Sequence, residues 1–166
     1  NDLTKLLKKR IKIDLKKIRS KKKNFSNLNF LKIPNIMGVL NLTPDSFSDG
    51  GKFNTGKKGL KHALEMFNSG ANIIDVGGES TRPGSKGVNN RTEWKRVEKI
   101  IKLLSKKIPI SLDTRKSEIM KKGINYGVKV INDVSGLEYD TETINVLKKY
   151  EIPFILQHSQ GTPENM

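Results

Sequence analysis

Cysteine is absent from all 166 residues, which excludes disulfide staples and thiolate-held metals. No apolar run approaches the ~20 residues of a helical membrane span, so no span is expected. Histidine occurs only as His62 and His158, without the partner spacing of a zinc site. His62 falls on the solvated side of a helix, and His158 closes a strand. No G-x-G-x-x-G run follows the first apolar strand, which weakens a dinucleotide-binding reading. A reducing, cytoplasmic setting is the simplest expectation.

Acidic residues are scarce, 17 against 32 Lys and Arg, for a net charge of +15. The imbalance is uneven. Residues 1 to 32 carry 12 basic and 2 acidic side chains, which leaves only +5 for everything after them. Lys outnumbers Arg 26 to 6 and Asn reaches 15, a bias that an AT-rich coding sequence explains as well as polyanion binding does. No nucleic-acid partner is therefore expected.

Leu3, Leu7, Ile11, Leu15 and Ile18 recur at helical spacing with lysines opposite, which predicts a basic amphipathic helix over 3–19 and a linker over 20–32. From Ile36 onward a regular beat begins. Strands are expected at 36–40, 72–76, 109–113, 128–132 and 153–157, with helices at 56–69, 91–106, 116–126 and 140–150. Such βα alternation implies a parallel sheet with right-handed crossovers, either doubly wound or rolled into a barrel. Polar residues stand at successive strand ends: Asn41, Asp75 with Glu79, Asp113, Asn132 with Asp133, and His158. Chemistry at the carboxyl end of every strand marks a (β/α)8 barrel. Five strands do not close one, so the sequence reads as a fragment, with residues 33–166 forming the first part of the barrel.

Three segments carry chemistry. Asn41-Leu42-Thr43-Pro44-Asp45-Ser46-Phe47-Ser48-Asp49-Gly50-Gly51 packs acceptors behind a buried strand, and an Asn carboxamide there suits a hard cation such as Mg2+. A turn capped by Ser and Asp would explain the glycines alone. Asp75-Val76-Gly77-Gly78-Glu79-Ser80-Thr81-Arg82-Pro83-Gly84-Ser85 lets backbone N–H groups and a guanidinium converge on an anion. In Ser111-Leu112-Asp113-Thr114, the Asp113 carboxylate can accept two N–H bonds from a guanidine-like heterocycle, or Asp113 or Thr114 can cap the helix that follows. Asn132-Asp133 repeats the pattern one strand later.

These segments, with Met37-Gly38-Val39-Leu40 before the first and Gly70-Ala71-Asn72-Ile73-Ile74 before the second, resemble dihydropteroate synthases over roughly residues 35 to 166. The resemblance implies a (β/α)8 barrel that joins 6-hydroxymethyl-7,8-dihydropterin diphosphate to 4-aminobenzoate, with Mg2+ as cofactor and a homodimer as the intact assembly. By the same resemblance Asn41 holds the metal, while Asp113 and Asn132 grip the pterin. Thr81 and Arg82 touch the diphosphate or the benzoate, Phe47 and Pro83 wall the aminobenzoate slot with Ser85 nearby, and Thr43 and Asp45 belong to the substrate loop. Catalytic roles fall to Asp113, Asn132 and Arg82. The family's later-strand Asp, Lys and Arg-x-His lie outside the given chain, so the fragment is expected to be inactive alone. Gln157 and Ser159 stand where the family often has Met. Rival readings are a methyltransferase barrel that binds a reduced pterin, a pterin-binding paralogue without turnover, and a basic module that uses residues 1 to 32.

Overall fold

Each apolar run that the sequence sets between polar loops becomes a strand, and each segment with helical spacing becomes a helix. The computed structural model describes residues 2–20, 34–43, 55–80 and 85–158. The chain divides into two compact units, residues 1–33 and 34–166. The first contains α1 (Asp2–Arg19). Its Leu3, Leu7, Ile11 and Leu15 are exposed, and Arg10 Nε pairs with Asp14 Oδ2 one turn on, at 3.2 Å. The side chain of Ile18 and the linker at 21–33 lie outside the described residues.

The second unit runs β1 (Met37–Asn41), α2 (Thr55–Asn68), β2 (Ile73–Gly77), α3 (Asn90–Leu104), β3 (Ile110–Asp113), α4 (Ser117–Asn125), β4 (Val130–Asp133), α5 (Thr143–Tyr150) and β5 (Phe154–Leu156). All neighbouring strands are parallel, in the spatial order β1-β2-β3-β4-β5. This order settles what the βα beat left open. A doubly wound sheet reverses its strand order at a switch point, whereas here every strand adds to the same side. Right-handed crossovers then place all four helices on one face, where α2, α3, α4 and α5 pack in sequence. The result is an open segment of (β/α)8 wall.

Alternation along each strand divides its side chains between two faces. Leu40, Val76, Leu112 and Ile131 are register partners across β1 to β4 and are fully buried. They form one core with Ala63 of α2, Val97, Ile100 and Ile101 of α3, Ile119 and Met120 of α4, and Val146 and Leu147 of α5. Each such Leu or Ile contributes about 1.5–3 kcal/mol on burial. The edge strands are less covered. Val39 of β1 is 57% exposed, and Phe154, Ile155 and Leu156 of β5 are all exposed. Apolar side chains along a free sheet edge fit a wall that continues on both sides in a closed barrel.

Gly123 lets α4 approach this core, because a Cβ there would overlap Leu112 Cδ2 and come within 3.3 Å of Val128 Cγ2. Leu112 is fully buried and has no room to yield. Gly123→Ala is therefore expected to destabilise the fold by about 1–2 kcal/mol despite alanine's better helix propensity, since overpacking costs more than the propensity returns. A urea-unfolding midpoint equal to or above wild type would contradict this.

The turn before α5 departs from expectation. Asp140, predicted inside the helix, stays outside it: Oδ1 accepts from Glu142 N at 3.0 Å and Oδ2 from Ser117 N at 2.8 Å. It thus satisfies the amino end of α4 from the next loop, and α5 starts at Thr143. Those N–H bonds hold its carboxyl below the ordinary value against the opposing pull of burial.

Candidate active site

Opposite the helices, Asn41, Gly77, Asp113 and Asn132 occupy one continuous line of register partners at the carboxyl end of the sheet. Val39, Asp75, Ser111 and Val130 form the line beneath. Three of the predicted strand-tip residues, Asn41, Asp113 and Asn132, therefore stand together on one rim. Gly77 lies between the first two. A Cβ at this position would meet Asp113 Oδ2 at 3.1 Å and Asn41 Oδ1 at 3.3 Å, so the absent side chain leaves both oxygens facing a common gap.

Asp113 is not the cap of the following helix. Lys116 N is held by Thr114 Oγ1 at 3.3 Å and Ser117 N by Asp140, which leaves the Asp113 carboxyl for the rim. Burial, followed by the nearby carboxylates of Asp75, Glu93, Asp133 and Glu79, pushes its pKa up to about 7. Asp75 sits one layer deeper, where burial also raises its carboxyl above the ordinary value. Its Oδ2 accepts from Asn132 Nδ2 at 2.9 Å, and the buried Ser111 hydroxyl beside it joins that bond in opposing the upward shift. The bond to Asp75 fixes the flip of the Asn132 carboxamide, and Oδ1 remains to accept from a ligand at the rim. The site therefore offers hydrogen-bond acceptors to a donor-rich, cation-tolerant ring.

Asp133, paired with Asn132 in the sequence reading, takes a different role. Alternation turns it to the helix-side face, where Oδ1 accepts from Ser135 N at 2.8 Å and Ser135 Oγ at 2.6 Å. It shapes the loop after β4. Glu79 likewise stands behind the rim, and burial, which would raise its carboxyl, is outweighed by bonds from Arg115, Val88 N and Lys116 that hold it below its ordinary value. His158 is exposed and lines a cavity of about 150 Å3 with Ser135, Gly136, Glu138, Leu156 and Gln157. His62 is exposed on α2, 3.9 Å from Glu65.

Thr43 is buried where β1 leaves the sheet. Ser85 Oγ donates to Ser80 O at 2.6 Å and so lies at the base of the loop after β2. Asp45, Phe47, Thr81, Arg82, Pro83 and Ser159 lie outside the described residues.

Sequence reading missed a buried ionic cluster behind the rim. Lys116 Nζ, almost fully buried, reaches Glu79 Oε1 at 3.0 Å, Glu93 Oε2 at 2.6 Å and Val88 O at 2.6 Å. Thr114 Oγ1 donates to Glu93 Oε1 at 2.5 Å, and Arg115 Nε to Glu79 Oε2 at 3.0 Å, with the Arg115 guanidinium over the Tyr139 ring at 3.9 Å. One lysine among 26 carries no signal in sequence. Asp75 did carry one, as an acid inside the apolar run Ile73-Ile74-Asp75-Val76.

Residues 37–166 match the pterin binding enzyme family, and the chain belongs to it. Among curated relatives, the dihydropteroate synthase of Clostridium beijerinckii is 45% identical over 150 residues, which cover 89% of this chain and 54% of the relative. A crystal structure of a Clostridium difficile dihydropteroate synthase in the presence of pteroic acid superposes with a TM-score of 0.72 at 46% identity, covering 76% of this chain and 49% of that one. A Xanthomonas albilineans dihydropteroate synthase with 4-aminobenzoic acid gives a TM-score of 0.74 at 37% identity over 80% and 49% of the two chains. The chain spans about half the length of the relatives it matches. Among the described residues no helix is long and apolar enough to cross a membrane, and no group of three or more His, Asp or Glu side chains is placed to hold a metal ion.

Proposed function

We propose that this chain supplies the pterin-gripping half of a dihydropteroate synthase, which condenses 6-hydroxymethyl-7,8-dihydropterin diphosphate with 4-aminobenzoate to give 7,8-dihydropteroate and pyrophosphate. The observation that carries the reading is the single rim line of Asn41, Gly77, Asp113 and Asn132 above a buried Asp75. The C–O bond from the exocyclic methylene to the diphosphate breaks, the amine nitrogen of aminobenzoate bonds to that carbon, and the nitrogen gives up a proton. Positive charge develops on the pterin as the bond opens. An ionised Asp113 stabilises that charge and accepts two N–H bonds from the ring, and Asn132 Oδ1 accepts another. Preorganisation is the main contribution, because Asn132 is already held by Asp75 and Asp113 already desolvated. Thr81 and Arg82 bind the diphosphate or the incoming carboxylate, Arg82 balancing the leaving charge, while Phe47, Pro83 and Ser85 shape the aminobenzoate slot and Thr43 and Asp45 the loop above it.

The residues present fit Mg2+. Asn41 Oδ1 is a neutral, hard oxygen that faces the gap at the rim and would hold the ion there, alongside oxygens of the substrate diphosphate. When bound, the ion neutralises charge on the departing diphosphate. The substrates are small molecules, the intact assembly a homodimer, and its setting the cytoplasm. Residues 1–32, a basic amphipathic helix and linker, are an extension of the catalytic unit or the end of an upstream domain.

The test uses the full-length protein with both substrates. Dihydropteroate and pyrophosphate are expected in equal amounts and only with magnesium, and Asn41→Ala is expected to lower turnover at least tenfold while raising the magnesium concentration for half-maximal rate. Magnesium-independent turnover, or an Asn41→Ala variant with the wild-type metal requirement, would remove Asn41 from this role.

A further inference from the structure

The loop after β2 is closed at its base by bonds that converge on one buried amine. Glu79 Oε1 accepts from Val88 N at 2.9 Å, across the neck from Glu79 to Val88. Lys116 Nζ binds both sides of that neck, Glu79 Oε1 at 3.0 Å on the outgoing strand side and Val88 O at 2.6 Å on the returning side. Its remaining bond goes to Glu93 Oε2 on α3, which is fully buried. Arg96 Nη1 secures Gly78 O at 2.7 Å, and Ser85 Oγ closes on Ser80 O. An ammonium has three donors, and here all three are used in a place with almost no solvent.

Two carboxylates and a lysine so deeply buried are not explained as stability alone. An apolar trio of similar volume often serves a core as well or better, because desolvating ions offsets much of their attraction. What the ions add is direction. Lys116 begins the turn into α4, two residues beyond Thr114 and three beyond Asp113, so it ties the rim strand β3 to the neck of the neighbouring loop.

We propose that Lys116 is a positioning residue that clamps the neck after β2, Glu79 against Val88, to the β3 rim, and so holds Ser85 at that neck for the second substrate, 4-aminobenzoate. The substrate assignment rests on the function proposed above; the clamp does not. Lys116 touches no reacting atom. It acts through Glu79 and Val88, with Glu93 as its fixed counter-carboxylate and Arg115 as a second brace on Glu79. Loss of the clamp loosens the Glu79–Val88 neck without disturbing Asp113 and Asn132, which are held separately by β3, β4 and Asp75.

The experiment pairs hydrogen exchange with steady-state kinetics on the full-length protein carrying Lys116→Met or Lys116→Arg. In Lys116→Met, exchange at the Val88 amide is expected to rise at least tenfold, with the β2 and β3 amides at wild-type protection. KM for 4-aminobenzoate is expected to rise about tenfold while the Kd for the pterin changes by less than about twofold. Lys116→Arg keeps the charge and donors and is expected to recover most of both effects. Wild-type exchange at Val88, or a loss of protection spread over β2 and β3, would overturn the clamp. A loosened neck with an unchanged KM for aminobenzoate would overturn the positioning role. If Lys116→Met does not fold, Glu79→Gln serves instead, because Lys116 keeps Glu93; about threefold faster Val88 exchange is expected, and no change would reject the proposal. Absence of turnover in the wild-type protein would count against the reaction, and the exchange result would still decide the clamp.

Discussion

Asp113→Asn is expected to lower kcat/KM by about 100-fold or more and to abolish a titration near neutral pH. The first effect follows from charge: the amide can accept one bond where the carboxylate accepts two, and it offers no negative charge to a ring that becomes cationic as the C–O bond opens, a loss of about 3 kcal/mol or more. The second follows from burial and the carboxylates around it, which push Asp113 to a pKa of about 7 from an ordinary 3.8. In that window the unfolded chain has released the proton and the folded chain retains it. The folded state therefore binds more protons, and stability falls as pH rises from about 4 to about 7, by up to about 4 kcal/mol from this group alone. Wild type minus variant isolates the contribution, and urea unfolding of both between pH 4 and 8 measures it. Ligand affinity runs the other way. A ring that presents N–H donors requires the carboxylate, so pterin binding to the wild type should tighten with pH up to about 7 and then level, while the variant stays flat. A wild type and variant with parallel pH profiles would show that Asp113 does not titrate as its surroundings dictate.

How far such a site can be read before the chain is folded depends on the kind of signal. The strands and helices were legible because apolar periodicity is local: Leu60, Leu64 and Phe67 declare α2 as clearly as Ile73-Ile74 declares β2. Asn41, Asp113 and Asn132 were legible for a related reason, as polar residues that end apolar runs. The side of the sheet on which a strand-end residue falls was harder. Asn132 and Asp133 are adjacent and equally polar, yet one-residue alternation sends the first to the rim and the second to the helices, so that Asp133 holds Ser135 instead of a ligand. Least legible were partners far apart in sequence. Glu93 reads as an ordinary first-turn acid of a helix and Lys116 as one more lysine, and only the parallel packing of β2, α3 and β3 brings them within 2.6 Å. Gly77 has a comparable origin, since its function is to leave space between side chains 36 residues to either side of it.

That dependence on register makes the Asn132 position the most sensitive test of the rim's electrostatics. Asn132→Asp preserves shape but replaces a donor to Asp75 Oδ2 with a second carboxylate at about the present 2.9 Å, beside the already strained titration of Asp113. Carboxylates this close do not all ionise, so the cluster should retain a shared proton well above the ordinary carboxyl range, as coupled acid pairs do. Pterin affinity is expected to fall about 100-fold at pH 8, where charge repulsion and the loss of a fixed acceptor act together, and to recover at least partly near pH 6 as the cluster takes up a proton. Asn132→Ala, which removes one hydrogen bond and adds no charge, should cost only about tenfold and show no such recovery. The reciprocal pair Asp75→Asn with Asn132→Asp exchanges donor and acceptor and restores the net charge. If the Asp75–Asn132 bond sets the orientation of the rim carboxamide, the double variant should bind better than Asn132→Asp alone, with a coupling of about 1–3 kcal/mol in the double-mutant cycle. Additive losses at pH 8, with calorimetric titrations of all four proteins as the measure, would mean that Asp75 and Asn132 act independently and that the rim is organised by the strands alone.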